Sequence, residues 1–192
     1  GINLDTLPET PVQPEEPSLF HIGSMNWFPN EEGIRWLINE VWPSVAQRLP
    51  DIELHLAGRY MPEWLKNLSV PHIKVDGEVP DVWEYMQRFS IMVVPLFSGS
   101  GIRIKIVEGM AAGKAIVTTV IGAEGINYEN GQHLLIAKDA KSFSDAIVRL
   151  CTEKTLRDNL GKNARALIAK EHDNTKLMQK LTAFYAELLK QK

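Results

Sequence analysis

Six short apolar runs constrain this chain more than any other feature. They lie at 19–23, 52–58, 73–75, 91–95, 115–118 and 134–136, and nearly every one is followed by a stretch with helical periodicity. The run Ile91-Met92-Val93-Val94 is apolar at every position, so both of its faces must be covered. Short strands alternating with helices imply βα units, right-handed crossovers and a parallel sheet between two helical layers. The sequence therefore predicts an α/β fold: a Rossmann-like parallel sheet of about six strands with helices on both faces. Helices are expected over 30–41, with Asn30 as N-cap and an apolar face of Ile34, Leu37, Ile38 and Val41. Further helices are expected over 62–68, over 81–89 (capped by Asp81) and over 102–112. Gly113 should close the last of these in a left-handed conformation. Three further helices, over 140–152, 153–170 and 174–190, are appended after the last strand.

The ends of the chain read differently. Residues 1–17 carry four prolines and four acids without a hydrophobic period, the pattern of a linker or a surface-hugging lead-in. Residues 18–172 form the α/β domain, and 173–192 form a terminal helix of their own. The 192 residues hold 21 basic and 24 acidic side chains, a net charge of −3, which argues against general nucleic-acid binding. The single cysteine, Cys151, permits no internal disulfide and reads as a half-buried helix residue. No signal-peptide pattern and no apolar run of membrane-spanning length are visible, and the chain is read as cytoplasmic.

Ligands of open parallel sheets sit at the carboxyl ends of the strands. The most informative loop there is Phe97-Ser98-Gly99-Ser100-Gly101, which leaves the fourth strand and opens a helix. Glycines let backbone amides approach a ligand closely, and a helix start adds unsatisfied donors and partial positive charge, which together suit a phosphate. Arg103 and Lys105, expected in the first helical turn, oppose the helix dipole unless an anion lies there. Glu108, one turn beyond Lys105, could accept hydrogen bonds from ribose hydroxyls. An ordinary surface ion pair between Lys105 and Glu108 is the competing reading. The dinucleotide fingerprint fails at Ile104. Gly109 through Lys114 miss the phosphate-loop spacing. The five histidines show no metal-ligand spacing.

The segment PLFSGSGIRIKIVEGMAAGKAIVTT, from Pro95 to Thr119, resembles the donor-binding motif of family-four retaining glycosyltransferases of the GT-B fold. Similar matches are FHIGSM at Phe20–Met25 with Pro29-Asn30, VDGEV at Val75–Val79, GAEG at Gly122–Gly125 and a hinge-like GINLD at the start. The resemblance implies that the chain is the C-terminal half of a GT-B enzyme. That enzyme would transfer a hexosyl group from a nucleotide diphosphate sugar to a glycan or lipid-linked acceptor, without a metal or other cofactor. It implies contacts to the diphosphate from Arg103, Lys105, Gly23, Ser24 and the loop Gly99, Ser100, Gly101 and Ile102. The ribose would meet Glu108, and the base the backbone of Gly77, Glu78 and Val79. Catalytic stabilisation of the leaving diphosphate would fall to Arg103 and Lys105, with Glu108 holding the donor. The partner would be an N-terminal acceptor domain, reached by the terminal helix, and the whole enzyme would associate with the inner face of the cytoplasmic membrane. Two departures stand out. Ser100 replaces the first glutamate of the family's paired motif, which contacts the transferred sugar. The loop Ser24–Asn30 carries no base. A nucleotide-sugar epimerase of the same fold and a degenerate nucleotide-binding module remain the alternatives.

Overall fold

The structure is a computed structural model that describes residues 1–4, 7 and 14–190, with Lys190 by its backbone alone. Six parallel strands lie in the order β3-β2-β1-β4-β5-β6. They are β1 (Leu19–Ile22), β2 (Leu54–Ala57), β3 (Ile73–Gly77), β4 (Ile91–Val94), β5 (Ala115–Thr118) and β6 (Leu135–Ile136). The register pairs Leu19 with both Leu54 and Ile91, so β1 and β4 form the centre of the sheet. Alternate side chains serve opposite faces. Leu19, Leu54, Leu56, Ile91 and Val93 enter one core. Phe20, Ile22, Met92 and Val94 enter the other. This two-sided burial explains why the central strands are apolar at every position.

The first face is covered by α1 (Phe28–Trp36), α2 (Trp42–Arg48), α3 (Glu63–Lys66) and α6 (Ala140–Thr152). The second is covered by α4 (Val82–Gln87), α5 (Ile104–Ala111) and α7 (Lys154–Glu171). Between α1 and α2 the helix widens to a π-turn over Leu37–Val41, where the Trp42 amide donates to Leu37. Pro43 accounts for it: the ring lacks an N–H and would clash with the carbonyl four residues back. Asp81 caps α4 as expected, through the Glu84 amide at 2.9 Å. Asp139 caps α6 in a reciprocal box with Ser142. Gly113, at φ +69°, follows α5 in the expected left-handed conformation.

Three expectations need correction. Asn30 does not cap α1; it lies inside the helix, and Trp27 takes the cap position without a side-chain bond. The helix after the glycine loop begins at Ile104, two residues later than expected, because Arg103 occupies the N-cap in an extended conformation. The lead-in is also more than a solvated linker where it is described. Ile2 is buried and exchanges backbone hydrogen bonds with His172 and Asn174, and Leu7 is buried in the same core. The rest of that lead-in, residues 5, 6 and 8–13, lies outside the described residues. The terminal helix α8 (Asn174–Lys190) forms over the expected span and exposes Leu181, Phe184, Tyr185 and Leu188. Cys151 is buried, and burial pushes its thiol up to about 12, in keeping with a packing role. Among the described residues no helix is long and apolar enough to cross a membrane.

Candidate functional site

The chain moves outward from β1 in one direction through β2 and β3, and in the other through β4, β5 and β6. The crevice above β1 and β4 is thus the topological switch point, where open α/β sheets bind ligands. A cavity of about 270 Å³ opens there. The loop after β1 supplies Ile22, Gly23 and Ser24, the end of β2 supplies Gly58 and Arg59, and the β3–α4 connection supplies Glu78, Val79, Pro80 and Val82. Helix α5 supplies Lys105 and Glu108. Gly77 lines an adjoining cavity of about 380 Å³ with Tyr60 and Lys66. Arg59 and Glu78 form an exposed ion pair of 2.9 Å between the two spaces. Elements far apart in sequence therefore bring together Gly23, Ser24, Glu78, Val79, Lys105 and Glu108, all expected at a site.

The glycine loop sits beside this cleft. Gly99 and Gly101 adopt φ of +105° and +80°, open only to a residue without a Cβ at low cost. Ser100 and Ile102 are exposed, and Ile102 packs over Gly125 of the loop that follows β5. Arg103 does not reach into the cleft, contrary to expectation. Its side chain is buried and turns back under the loop, where Nη1 donates to the carbonyls of Ser100 at 2.6 Å and Gly101 at 2.5 Å. Glu124 lies 3.8 Å from the same guanidinium, and the Trp27 ring lies 5.7 Å from it. The rigid five-donor fork of arginine suits it to gather loop carbonyls that no helix satisfies. In a trans peptide the carbonyl and the following amide point opposite ways. Drawing the Ser100 and Gly101 carbonyls toward Arg103 therefore turns the N–H groups of Gly101 and Ile102 away from it, to the outer side of the loop.

Lys105 is half-buried, and its ammonium donates to Asn30 Oδ1 at 2.6 Å. Burial, with the charge of Arg103 adding to it, pulls this lysine down to about 7. Glu108 is half-buried as well, and burial pushes its carboxyl up. The two form no ion pair among the described residues, so the reading of an ordinary surface pair fails. A lysine and a carboxylate that are both partly desolvated, face one cleft and do not neutralise each other can each still take a ligand group. Lys114, by contrast, is fully buried, consistent with discarding a phosphate loop at Gly109–Lys114.

Two residues here lie in segments that the sequence reading quoted, but it gave them no place in the site. Asn30 is buried in α1 and donates from Nδ2 to the Ser24 carbonyl at 2.8 Å while receiving Lys105. His21, fully buried on β1, donates from Nδ1 to the Val93 carbonyl at 2.8 Å, leaving Nε2 as a buried acceptor without a partner among the described residues. Burial and the nearby Lys105 charge hold His21 well below the usual histidine range. Val93 lies 72 residues from His21 and Lys105 lies 75 from Asn30, beyond the reach of any local pattern; only the Ser24 partner of Asn30 is local, six residues away. Among the described residues no group of three His, Cys, Asp or Glu could hold a metal ion.

Sheet order and cleft position define a Rossmann-like domain with a polar cleft at the switch point. The chain belongs to the glycosyl transferases group 1 family, whose model matches residues 16–153. A curated relative, the phosphatidyl-myo-inositol mannosyltransferase of Mycobacterium leprae, is 28% identical over 169 residues, covering 82% of this chain and 44% of that protein. Among solved structures, sucrose-phosphate synthase from Thermosynechococcus elongatus matches with a TM-score of 0.76 at 19% identity, over 100% of this chain and 52% of that one. TarM from S. aureus, in a complex that contains UDP, matches with a TM-score of 0.76 at 19% identity, over 95% of this chain and 37% of that one. The chain spans less than half the length of the curated relatives it matches.

Proposed function

We propose that this domain is the donor-binding half of a retaining hexosyltransferase that uses a nucleotide diphosphate sugar. The observation that carries the reading is Lys105: a partly desolvated ammonium held at the switch-point cleft beside Glu108, a carboxylate that pairs with no cation among the described residues. The diphosphate would lie between the Lys105 ammonium, the outward amides of Gly101 and Ile102, and the backbone of Gly23 and Ser24. Glu108 would accept the ribose hydroxyls, and those donors would stabilise the carboxylate that burial now disfavours. The base would rest on the β3–α4 connection at Glu78 and Val79, with Gly77 at the edge. Ser100 would stand near the sugar, as a short neutral group.

In the transfer, the bond from the anomeric carbon to the β-phosphate oxygen breaks and one to an acceptor hydroxyl oxygen forms. The electron pair of the broken bond stays on the departing diphosphate, and the proton of the acceptor hydroxyl passes to an oxygen of that diphosphate. Lys105 and the loop amides would stabilise the charge that grows on the diphosphate, a preorganised electrostatic role. Arg103 would act one step removed, by aiming those amides. The acceptor, and the groups that bind it, would come from a preceding domain, and the whole enzyme would work at the cytoplasmic membrane face.

UDP is the first probe, because a structural neighbour of this fold was solved with it. Calorimetry should show UDP binding that weakens more than about tenfold in Lys105→Ala, or 1.4 kcal/mol. Equal affinity in the two proteins would remove Lys105 from the site.

A further inference from the structure

The cleft lysine has a flexible four-carbon stem and three rotatable donors, so its position must be imposed from outside. Asn30 is placed to impose it. Its amide is 3% exposed, and both polar ends are used: Oδ1 receives Lys105 Nζ at 2.6 Å, and Nδ2 gives a bond to Ser24 O at 2.8 Å. The Ser24–Met25 peptide is thereby held from two sides, since the Met25 amide donates to the Arg59 carbonyl at 2.9 Å. Gly23 leaves room for the arrangement. A Cβ there would fall 2.5 Å from Lys105 Nζ and 2.7 Å from Asn30 Nδ2. One amide side chain thus ties together the first turn of α1, the loop after β1 and the lysine of α5.

We infer that Asn30 is a positioning residue, which fixes the Lys105 ammonium in the cleft and couples its place to that of the Gly23-Ser24 loop. The consequence for the anion rests on the donor reading given above, whereas the coupling itself does not. The charged and titratable groups around Lys105 come from every neighbouring element. His21 on β1 is neutral and buried. Arg103 occupies the N-cap of the helix that carries Lys105, and Glu108 follows Lys105 one turn later. Arg59 and Glu78 face the same cavity and pair with each other. From α1 the neutral Asn30 meets the ammonium, while Glu31 is engaged with Arg35 and Trp64 and Glu32 accepts from the Ser98 hydroxyl at 3.4 Å. A neutral oxygen orients the lysine without cancelling its charge, which leaves that charge available to an anion.

Two measurements on the 192-residue protein test this. The first needs no nucleotide. The side chain of Lys105 is titrated by NMR in the wild type, in Asn30→Ala and in the near-isosteric Asn30→Asp, with Lys105→Ala giving the assignment. Removing an acceptor from the charged form should lower the lysine midpoint in Asn30→Ala, and a carboxylate should raise it by about one pH unit or more in Asn30→Asp. The second is UDP affinity in a double-mutant cycle. Asn30→Ala should weaken UDP about tenfold, and adding it to Lys105→Ala should weaken UDP less than twofold further, because both act through one ammonium. A lysine midpoint that is the same in all three proteins, or losses that multiply in the cycle, would overturn the assignment. Should UDP fail to bind the wild type while the midpoints move as described, the donor reading falls and the role of Asn30 stands. If Asn30→Ala does not fold, the midpoint of Asn30→Asp decides alone.

Discussion

Lys105 is where the demands of folding and of the proposed ligand diverge. Partial burial beside Arg103 favours its neutral form, so its folded pKa of about 7 lies below the ordinary lysine value of 10.5. Between those two values the unfolded chain binds the extra proton and the folded chain does not, so this residue makes stability rise with pH across that window. Below it, both states are protonated and the folded protein carries the full cost of the desolvated charge. Replacing the lysine with an uncharged side chain of similar length removes that cost. Lys105→Met should therefore raise the Tm more at pH 6 than at pH 10, while abolishing the cationic contact to a diphosphate. Paired thermal melts check it, and a Tm gain independent of pH would mean that packing, not charge, was responsible. The place of Lys105 and Glu108 in one cleft was legible in the sequence, because a base at a helix start and an acid one turn on are unusual residues in unusual places. The direction of Arg103 was not. A positive charge before a helix can face a ligand or its own loop carbonyls, and only the fold decides.

At the scale of elements, the site depends on how closely α1 approaches β4. Gly33 sits in α1 where a Cβ would fall 1.8 Å from the Pro95 carbonyl oxygen, a backbone atom that cannot swing aside. That contact sets the height of α1 over the sheet, and so the place of Asn30 one turn earlier. Gly33→Ala must push the helix outward, with an expected loss above about 2 kcal/mol in chemical denaturation. A loss no larger than an ordinary surface change, within about 0.5 kcal/mol, would show that the helix yields freely. Periodicity and caps sufficed to locate all six strands and to bound α6 and α8 to the residue. They failed where a long-range contact outweighed a local preference. Asn30 has the composition of an N-cap, but its amide serves Ser24 and Lys105, and the helix begins two residues before it at Phe28. Pro43 marks a helix boundary by its chemistry, and the chain instead passes through it by widening the turn before it.

For the molecule as a whole, the proposed reading makes the cleft an open half-site. The cleft is walled by the ends of β1, β2 and β3 and by α5, and the glycine loop presents its exposed residues beside it. The cleft residues described here serve the diphosphate, ribose and base in the proposed reading, and leave the acceptor unprovided for. Transfer needs the acceptor oxygen held against the anomeric carbon in near-attack geometry, and much of the rate enhancement lies in that positioning. A domain that binds donor without it should behave as a nucleotide-binding protein. The 192-residue protein is therefore expected to bind UDP and to release no UDP above the buffer background when given UDP-hexoses and a panel of glycan and lipid-linked acceptors. An extended protein that includes the upstream region expected from the longer relatives should restore turnover under the same conditions. Transfer by the short protein alone would overturn this, and would place an acceptor site within residues 1–192. The exposed face of α8, with Leu181, Phe184, Tyr185 and Leu188, belongs to the same proposal. If the preceding domain covers it, hydrogen exchange over residues 177–188 should slow in the extended protein, because an exposed helix opens locally far more often than one packed along its length.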